Sequence, residues 1–475
     1  MARTPVSSYD RLSALDESFL HLERDDTPMH VGAVAVLEAD PFHDANGNFR
    51  LDDVRSLVQA RLALLPRFRR TVVVPPLGTG RPIWVDDPDF DVARHVRLTA
   101  LPEPGTRREL LALAERLLAS VLDRGHPLWE MWFVEGLDDG KHVGLVHRSH
   151  HALTDGISGV DIATALLDLD PHAAPALPTR WIPEPGPEPV DLLIDTMRGH
   201  AHRLKDLAGQ ARAAISAPVA TAESAVRLGR SLGSLLPGGL APSLVHNSAL
   251  APGRRLETIA VSLAQVHAVR DALDCTVNDV VLAAVGTGFA RVLDEHGDLT
   301  DDAVMKMVCP VSLRVDAERS QLGNRISTMI VPVPVAGRDP VARLAAVRAT
   351  TTHLKERDQA AGTAVLFGLG EYAPPALLGA AARVLHSQPF GNVVTTNIPG
   401  PDVPLYLLGA QMLEVYPVVP LSRNLTLNVA VLSYCGKLHF GLLGDGASGR
   451  DLELLAGGIE DAFDELSALA TTRPR

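Results

Sequence analysis

Residues 142–156 read HVGLVHRSHHALTDG, and this stretch decides the fold expected for the chain. Its first six residues, His142–His147, have the length and mixed polarity of a short strand. Four apolar residues after the stretch recur at helical spacing: Ile157, Val160, Ala163 and Leu167. The pattern predicts a strand, a tight turn and a helix, with two adjacent histidines at the turn.

The adjacent histidines, His150 and His151, are expected to occupy different environments. Side chains alternate along a strand, so one imidazole faces the protein core and the other faces a cleft. A neutral imidazole in a cleft can accept a proton from a hydroxyl or amine group. Asp155 lies across the turn, and Gly156 tolerates a positive φ there. The motif indicates general-base chemistry rather than two polar residues at a domain edge.

Three other kinds of site are disfavoured. Histidine and aspartate can bind metals, but the motif has no third ligand at usable spacing, so we expect no metal. Residues 229–233 match the Gly-x-Ser-x-Gly pattern of serine hydrolases, yet they lie in a helix-like stretch without the buried strand that a nucleophile elbow requires. Gly286 and Gly288 fall inside an apolar helical pattern, where close helix packing explains them better than phosphate binding.

The 475-residue chain has the composition of a globular protein. A formal net charge of −13 and only 4% aromatic residues disfavour nucleic-acid binding. Three cysteines lie far apart, which suggests reduced thiols, and the first ten residues lack the apolar core of a signal peptide. The best candidate for a membrane span, 363–385, is interrupted by charges and prolines. We therefore expect a cytoplasmic protein that is soluble or peripheral on the inner membrane face or lipid droplets.

Length and shifts in composition predict two domains joined by a linker. Seven prolines between 171 and 189 mark the end of an N-terminal domain over residues 1–180. Residues 181–254 form the predicted linker, and within it the stretch 196–230 carries six Lys/Arg against two acidic residues. This stretch is either a crossover helix that covers one domain or a helix that binds an anionic lipid surface. Residues 255–475 form the second predicted domain.

The second half of the chain also mixes helices and strands. Its pattern predicts a long helix over 277–293 and buried strands over 304–311 and 326–335. Alternating apolar residues on both sides of Cys435–Lys437 predict a β-hairpin, and an apolar stripe over 452–466 predicts a final helix. Strands and helices in both halves indicate a two-domain α/β or α+β architecture.

Six sequence blocks, taken together, resemble the bacterial wax ester synthase/acyl-CoA:diacylglycerol acyltransferase family. The resemblance extends over nearly the whole chain. The histidine motif alone is also similar to that of peptide-synthetase condensation domains and other coenzyme A-dependent acyltransferases. The blocks are Leu15–Leu20 with Pro28–Gly32, His126–Trp129, His150–Gly156, Val277–Val280, Gly323–Pro334 and Thr396–Pro401.

The resemblance implies two chloramphenicol acetyltransferase-like domains, each a mixed β-sheet with flanking helices, and an active-site tunnel between them. It implies that His151 is the general base and that His150 supports it. Asp155 and Gly156 then serve the structure of the turn. The tunnel-lining candidates are Pro127, Leu128 and Trp129. No cofactor is expected, because long-chain acyl-CoA enters as a substrate.

Residues of two other blocks have alternative interpretations. Asn278 is either a donor that binds the oxyanion or a cap of the helix that begins there. Asp279 beside it is a candidate for an oxyanion or a structural role. Arg314 either pairs with Asp155 or is a surface residue at the end of a strand.

Together these observations predict an O-acyltransferase that moves a long-chain acyl group from coenzyme A to diacylglycerol, directly and without an acyl-enzyme. A long-chain fatty alcohol, which would give a wax ester, is the alternative acceptor, because residue chemistry does not separate the two alcohols. A condensation enzyme would predict neighbouring carrier segments, and none is recognised in the sequence. A non-catalytic lipid-droplet protein would predict a degraded histidine motif, whereas all seven positions are intact.

Overall fold

The computed structural model describes most of the chain but leaves several predicted features outside it. The described residues are 10–76, 80–154, 159–174, 180–197, 241–312, 326–337, 339–356 and 390–472. The predicted features outside these ranges are Asp155, Gly156, Arg314, the segment 363–385 and nearly all of the basic stretch 196–230. What the sequence indicates for them therefore stays a prediction.

The part of the chain up to residue 197 begins with helices and strands in alternation. The described helices are α1 (Ala14–Leu22), α2 (Leu51–Arg61), α3 (Val92–His95), α4 (Arg107–Leu118) and α5 (Gly159–Leu166). The strands are β1 (His30–Glu38), β2 (Arg70–Val73), β3 (Ile83–Asp86), β4 (Val96–Ala100), β5 (Trp129–Leu137) and β6 (His142–His150). A 3₁₀ turn over His151–Thr154 follows β6, and residues 189–197 are also helical.

The part from residue 241 onward is richer in strands. These are β7 (Arg254–Ser262), β8 (Val304–Ser312), β9 (Ile326–Pro334), β10 (Val393–Ile398), β11 (Tyr406–Leu407), β12 (Ala410–Val418), β13 (Leu427–Tyr434) and β14 (Lys437–Asp445). The described helices are α6 (Leu263–Leu273), α7 (Val277–Glu295), α8 (Pro340–Glu356) and α9 (Gly449–Thr472). These bounds confirm the predicted strands, the long helix, the hairpin and the final helix. The strand before the histidine motif extends three residues beyond its predicted end, to His150.

The first sheet places β6 beside its neighbour β1. The strand order is β11-β12-β1-β6-β5-β4, with β4 parallel to β5 and the other pairs antiparallel. The register of β1 and β6 sets His30 opposite His150. Strands β11 and β12 join this sheet from the C-terminal half, a crossover that the local sequence pattern does not indicate. The motif strand is thus held inside a sheet built from both ends of the chain.

The second sheet has the order β7-β14-β13-β10-β8-β9, and β10 runs parallel to both of its neighbours. The β13–β14 hairpin turns at Cys435 and Gly436, whose φ angles are 44° and 76°. Positive φ at both central residues is typical of a type I′ turn, whose twist matches that of the flanking strands. Helices α7 and α9 pack together and share one apolar core with this sheet.

Apolar contacts join the two halves of the molecule. The shared cluster includes Val34, Leu111, Val146, Leu256 and Leu443. Strand β12 also crosses β14 closely, because a Cβ atom at Gly441 would lie 1.8 Å from the carbonyl oxygen of Pro417. Only glycine fits at that crossing without a shift of the backbone.

The described helices differ from a membrane span in length and hydropathy. No single one of them is long and apolar enough to cross a bilayer. Helices α6 and α7 pass that test only as a pair, and they are bent by 103° at the break between them. Most of α7 is buried within the protein, as expected of a core helix.

Candidate active site

The two motif histidines lie where β6 ends. His150 is the last residue of the strand and is completely buried, whereas His151 opens the 3₁₀ turn and is partly exposed. The next two residues, Ala152 and Leu153, are buried in the apolar core of the first half. His151 is therefore a partly accessible imidazole between buried neighbours, which is the difference in environment that the sequence predicts.

The ring of His150 is held in one orientation. Its Nδ1 atom accepts a hydrogen bond from the backbone N–H of Ala152 at 3.0 Å. An acceptor at Nδ1 places the proton of the neutral ring on Nε2, which lies 3.4 Å from Oε1 of Glu23. Burial lowers the pKa of His150 well below its ordinary value, and the positive charge of Arg124 adds to this. His150 is thus a neutral, fixed ring rather than a proton acceptor for substrate.

A buried carboxylate, Glu23, lies under the histidine pair. Only 3% of its side-chain surface is exposed, and its Oε2 atom accepts hydrogen bonds from Nε and Nη2 of Arg124 at 3.2 and 2.9 Å. Oε1 accepts the backbone N–H of Met29 at 3.2 Å and lies 3.6 Å from Nε2 of His30. Burial, followed by the charges of Arg148 and Arg254, lowers the pKa of His30 to about 3. His30 is therefore neutral beside the carboxylate.

His151 itself is held through both its backbone and its ring. Its N–H donates to the carbonyl oxygen of Met29 at 2.8 Å. Its imidazole stacks on the ring of Phe19, with centroids 3.9 Å apart and planes inclined by 18°. Both contacts fix the direction in which the imidazole points, as a general base requires.

The Pro-Leu-Trp element supports the histidines from the neighbouring strand. The carbonyl oxygen of Leu128 accepts the N–H of His150 at 2.9 Å. Trp129 is fully buried, donates from its indole nitrogen to the carbonyl oxygen of Phe68 at 2.8 Å and stacks on His95. Pro127 is buried as well. The three residues anchor the start of β5 beside the motif, and their place in a substrate tunnel stays a prediction.

The start of α7 is capped by residues on either side of Asn278. Thr276 accepts the N–H of Asp279 through its hydroxyl, and Oδ2 of Asp279 accepts from the N–H and the hydroxyl of Thr276. Oδ1 of Asp279 accepts from the hydroxyl of Thr351 in α8 at 2.7 Å. The capping interpretation of Asn278 is therefore wrong, because a Thr276–Asp279 capping box does that work. Asn278 is partly exposed, and its role as oxyanion donor stays a prediction.

Sequence reasoning missed Glu23 and Phe19, although one signal pointed to the first. Glu23 is the C-cap residue of α1, at the end where the helix dipole disfavours a negative charge. An acidic residue at such an unfavourable position indicates an interaction outside the helix. No group of three or more histidine, cysteine or acidic side chains is placed to hold a metal ion within the described ranges.

Known proteins resemble this chain over most of its length. The model of the wax ester synthase/diacylglycerol acyltransferase catalytic domain matches residues 12–281, and the model of the family's C-terminal domain matches residues 322–467. A Mycobacterium tuberculosis protein named as a diacylglycerol O-acyltransferase (tgs1) is 33% identical over 98% of this chain and 97% of its own length. A second protein of that organism, named in the same way, is 31% identical over 98% of this chain and 92% of its own length.

Solved structures show the same likeness. A wax ester synthase/diacylglycerol acyltransferase from Marinobacter aquaeolei superposes with a TM-score of 0.65 at 25% identity, covering 96% of this chain and 99% of the other. The first condensation domain of the calcium-dependent antibiotic synthetase superposes with a TM-score of 0.58 at 14% identity, covering 98% and 97%. The second likeness shows the fold alone, a two-domain fold that the condensation domain and the wax ester synthase/diacylglycerol acyltransferase share. The chain belongs to the wax ester synthase/diacylglycerol acyltransferase family.

Proposed function

We propose that this protein is an acyl-CoA-dependent O-acyltransferase that converts diacylglycerol to triacylglycerol, with His151 as its general base. The observation that carries the proposal is the partly exposed imidazole of His151 on a backbone held by buried neighbours. A base must be accessible to substrate and fixed in direction, and His151 meets both requirements. Its neighbour His150 is fixed in direction but not accessible, because its ring is buried and its Nδ1 atom already accepts a hydrogen bond.

The proposed reaction uses the imidazole of His151 and two bound substrates. His151 takes the proton of the acceptor hydroxyl as its oxygen attacks the thioester carbonyl carbon. The tetrahedral intermediate collapses with loss of the coenzyme A thiolate, and the proton on His151 passes to that sulfur. An ester and free coenzyme A result, and the imidazole returns to its neutral form. A positioned base contributes ~10²–10⁴-fold to such a step, and the juxtaposition of two substrates contributes further.

The acceptor is proposed from the relatives. The mycobacterial proteins are named for diacylglycerol, whereas the Marinobacter protein is named for both wax ester and diacylglycerol chemistry. The higher identity to the mycobacterial proteins favours diacylglycerol. A long-chain fatty alcohol is the second acceptor to test, because it presents the same hydroxyl to the same base.

One experiment separates these acceptors. Radiolabelled palmitoyl-CoA is supplied with diacylglycerol and with hexadecanol in parallel, and the neutral lipids are separated. Label in triacylglycerol is the expected result. Label in wax ester alone would replace the acceptor, and label in neither product would overturn the proposed function.

We also propose that the protein works as a cytoplasmic enzyme bound peripherally to an anionic membrane or lipid-droplet surface. The helical segment 189–197 presents three apolar side chains to solvent at a spacing of four and three residues. Val190, Ile194 and Met197 are 65%, 42% and 64% exposed. Val190 and Ile194 precede the basic stretch over 196–230 and Met197 lies at its start. An apolar face followed in sequence by cationic residues is the pattern of an interfacial anchor.

A vesicle flotation assay tests the surface. Wild-type protein is mixed with phosphatidylcholine vesicles that contain or lack phosphatidylglycerol. Replacing both Val190 and Met197 by aspartate should lower the bound fraction roughly tenfold or more, because each buried apolar side chain contributes about 1.5–3 kcal/mol. The matched control is Leu64→Asp, an exposed apolar residue in another part of the chain. Equal flotation of the double variant and the wild type would contradict the proposed surface.

A further inference from the structure

We propose that Glu23 is a positioning residue that holds the catalytic His151 through two separate contacts. The inference rests on the proposed function of His151 and adds a residue outside the histidine motif. Glu23 does not reach the reacting atoms. Instead, both contacts end on backbone N–H groups of the motif, those of His151 and Ala152.

The first contact runs through Met29. Oε1 of Glu23 accepts the N–H of Met29 at 3.2 Å, and the carbonyl oxygen of Met29 accepts the N–H of His151 at 2.8 Å. Met29 immediately precedes β1 and is buried. The carboxylate fixes one side of this residue, and the other side then fixes the backbone of the base.

The second contact runs through His150. The same Oε1 atom lies 3.4 Å from Nε2 of His150, and Nδ1 of that ring accepts the N–H of Ala152 at 3.0 Å. The ring is neutral, and its Nε2 atom lies within ion-pair distance of the carboxylate without forming a hydrogen bond to it. The residue after His151 is thus held through the imidazole before it. The same carboxylate oxygen thus contacts both groups, Met29 and His150, that bind the backbone at and after the base.

The surroundings of Glu23 fit a fixed carboxylate. Arg124 engages Oε2 with two nitrogen atoms, which orients the group and offsets its charge. Four residues earlier on α1, Phe19 stacks on the ring of His151. The Glu23 N–H also donates to the carbonyl oxygen of Phe19. Helix α1 therefore holds His151 in two ways. Phe19 contacts its ring, and Glu23, one helical turn later, acts on its backbone.

Loss of this brace should reduce turnover rather than binding. A displacement of a catalytic group by about 1 Å can cost ~10²-fold in rate. Because Glu23 acts on the position of the base, the KM values should change little. A residue that merely stabilised the fold would instead lower the unfolding temperature and leave the turnover of folded molecules intact.

The experiment compares three variants of the full chain. Glu23→Ala removes the brace, and Glu23→Gln keeps an oxygen that can accept the N–H of Met29. The matched control is Glu17→Ala, because Glu17 is an equally buried acid on the same helix. Its carboxylate faces His21 at 3.3 Å and Arg81 at 3.8 Å.

Kinetics and thermal unfolding give the first readout. Glu23→Ala should lower kcat by about 100-fold with KM within about threefold of wild type. Glu23→Gln should recover kcat to within about tenfold of wild type. Glu17→Ala should lose a comparable amount of thermal stability and keep kcat within about threefold. Equal kcat for Glu23→Ala and Glu17→Ala would overturn the proposal while leaving the proposed function standing.

Hydrogen–deuterium exchange gives a readout that needs no substrate. Peptides over 148–154 report the amides of His151 and Ala152, which are the two ends of the brace. In Glu23→Ala these amides should exchange at least about tenfold faster than in Glu17→Ala. Equal protection in the two variants would overturn the brace even if the wild-type protein transferred no acyl group.

Discussion

Glu23 and Asp279 both carry buried carboxylates at a helix end, with 3% of the Glu23 side chain and 2% of the Asp279 residue exposed. Asp279 lies in the first turn of α7, where the helix dipole favours a negative charge, and its partners Thr276 and Thr351 belong to α7 and α8. Glu23 lies at the C-terminal end of α1, where the dipole opposes it. The contrast indicates that Asp279 stabilises its half of the fold, whereas Glu23 is kept at an unfavourable position by the site that it supports.

The comparison is tested most strongly by removing the second carboxylate. Asp279→Ala should destabilise the protein by about 2–3 kcal/mol, because it removes a capping box and leaves the buried hydroxyl of Thr351 with only the carbonyl oxygen of Arg348, at 3.1 Å, as acceptor. The kcat of the folded variant should stay within about threefold of wild type. Urea unfolding and steady-state kinetics on the same sample check both statements. A large loss of kcat at unchanged stability would make Asp279 part of the active site instead.

The folded and unfolded states differ in the pKa of His30, which makes stability depend on pH. The pKa of His30 is lowered to about 3, while the unfolded chain has the ordinary value near 6.5. The unfolded state therefore binds a proton that the folded state refuses between these values. The contribution of neutral His30 to the unfolding free energy is complete above pH 6.5. It is lost as the pH falls, and the loss reaches roughly 2 kcal/mol at pH 5.

Replacing His30 should reveal that contribution. In His30→Gln, the fall in unfolding free energy between pH 7.5 and pH 5 should be smaller than in wild type by about 2 kcal/mol. The exposed His172 supplies the control, because His172→Gln should leave the fall unchanged. The same fall in wild type and His30→Gln would show that His30 titrates normally in the folded protein.

The smallest expected effect lies at Thr351. Thr351→Val keeps the shape of the side chain and removes the hydroxyl that donates to Asp279 at 2.7 Å. We expect a loss of about 1 kcal/mol, since Asp279 keeps its bonds to Thr276. Activity should not change. Denaturant unfolding of this variant beside Asp279→Ala measures how much of the Asp279 contribution runs to α8.

Local patterns in the sequence predicted local structure well. The apolar period of α7 and the alternation around Cys435 predicted a helix and a hairpin that the structure confirms. The different environments of His150 and His151 were also predicted, although the structure produces them by ending the strand at His150 and beginning a 3₁₀ turn at His151 rather than by alternation within a strand. A Thr followed three positions later by an acidic residue is typical of a capping box. Thr276 and Asp279 carry that signal in the sequence.

Other features depend on contacts that no local pattern contains. Strand β12 pairs with β1 across nearly the whole chain, so neither segment alone indicates its partner. Glu23 reaches His150 only because α1 ends beside the first sheet. Its position against the helix dipole was a weak signal, and a single acidic residue does not say which distant group it serves.

We propose that His151 is the general base of acyl transfer and that its neighbours only position it. The most direct measurement compares wild type and His151→Ala for transfer of labelled palmitate from coenzyme A to diacylglycerol, with thermal unfolding recorded on the same samples. We expect labelled triacylglycerol from wild type. His151→Ala should lower the rate of acyl transfer by roughly 10²–10⁴-fold at an unchanged unfolding temperature. Turnover by folded His151→Ala near the wild-type rate would contradict it.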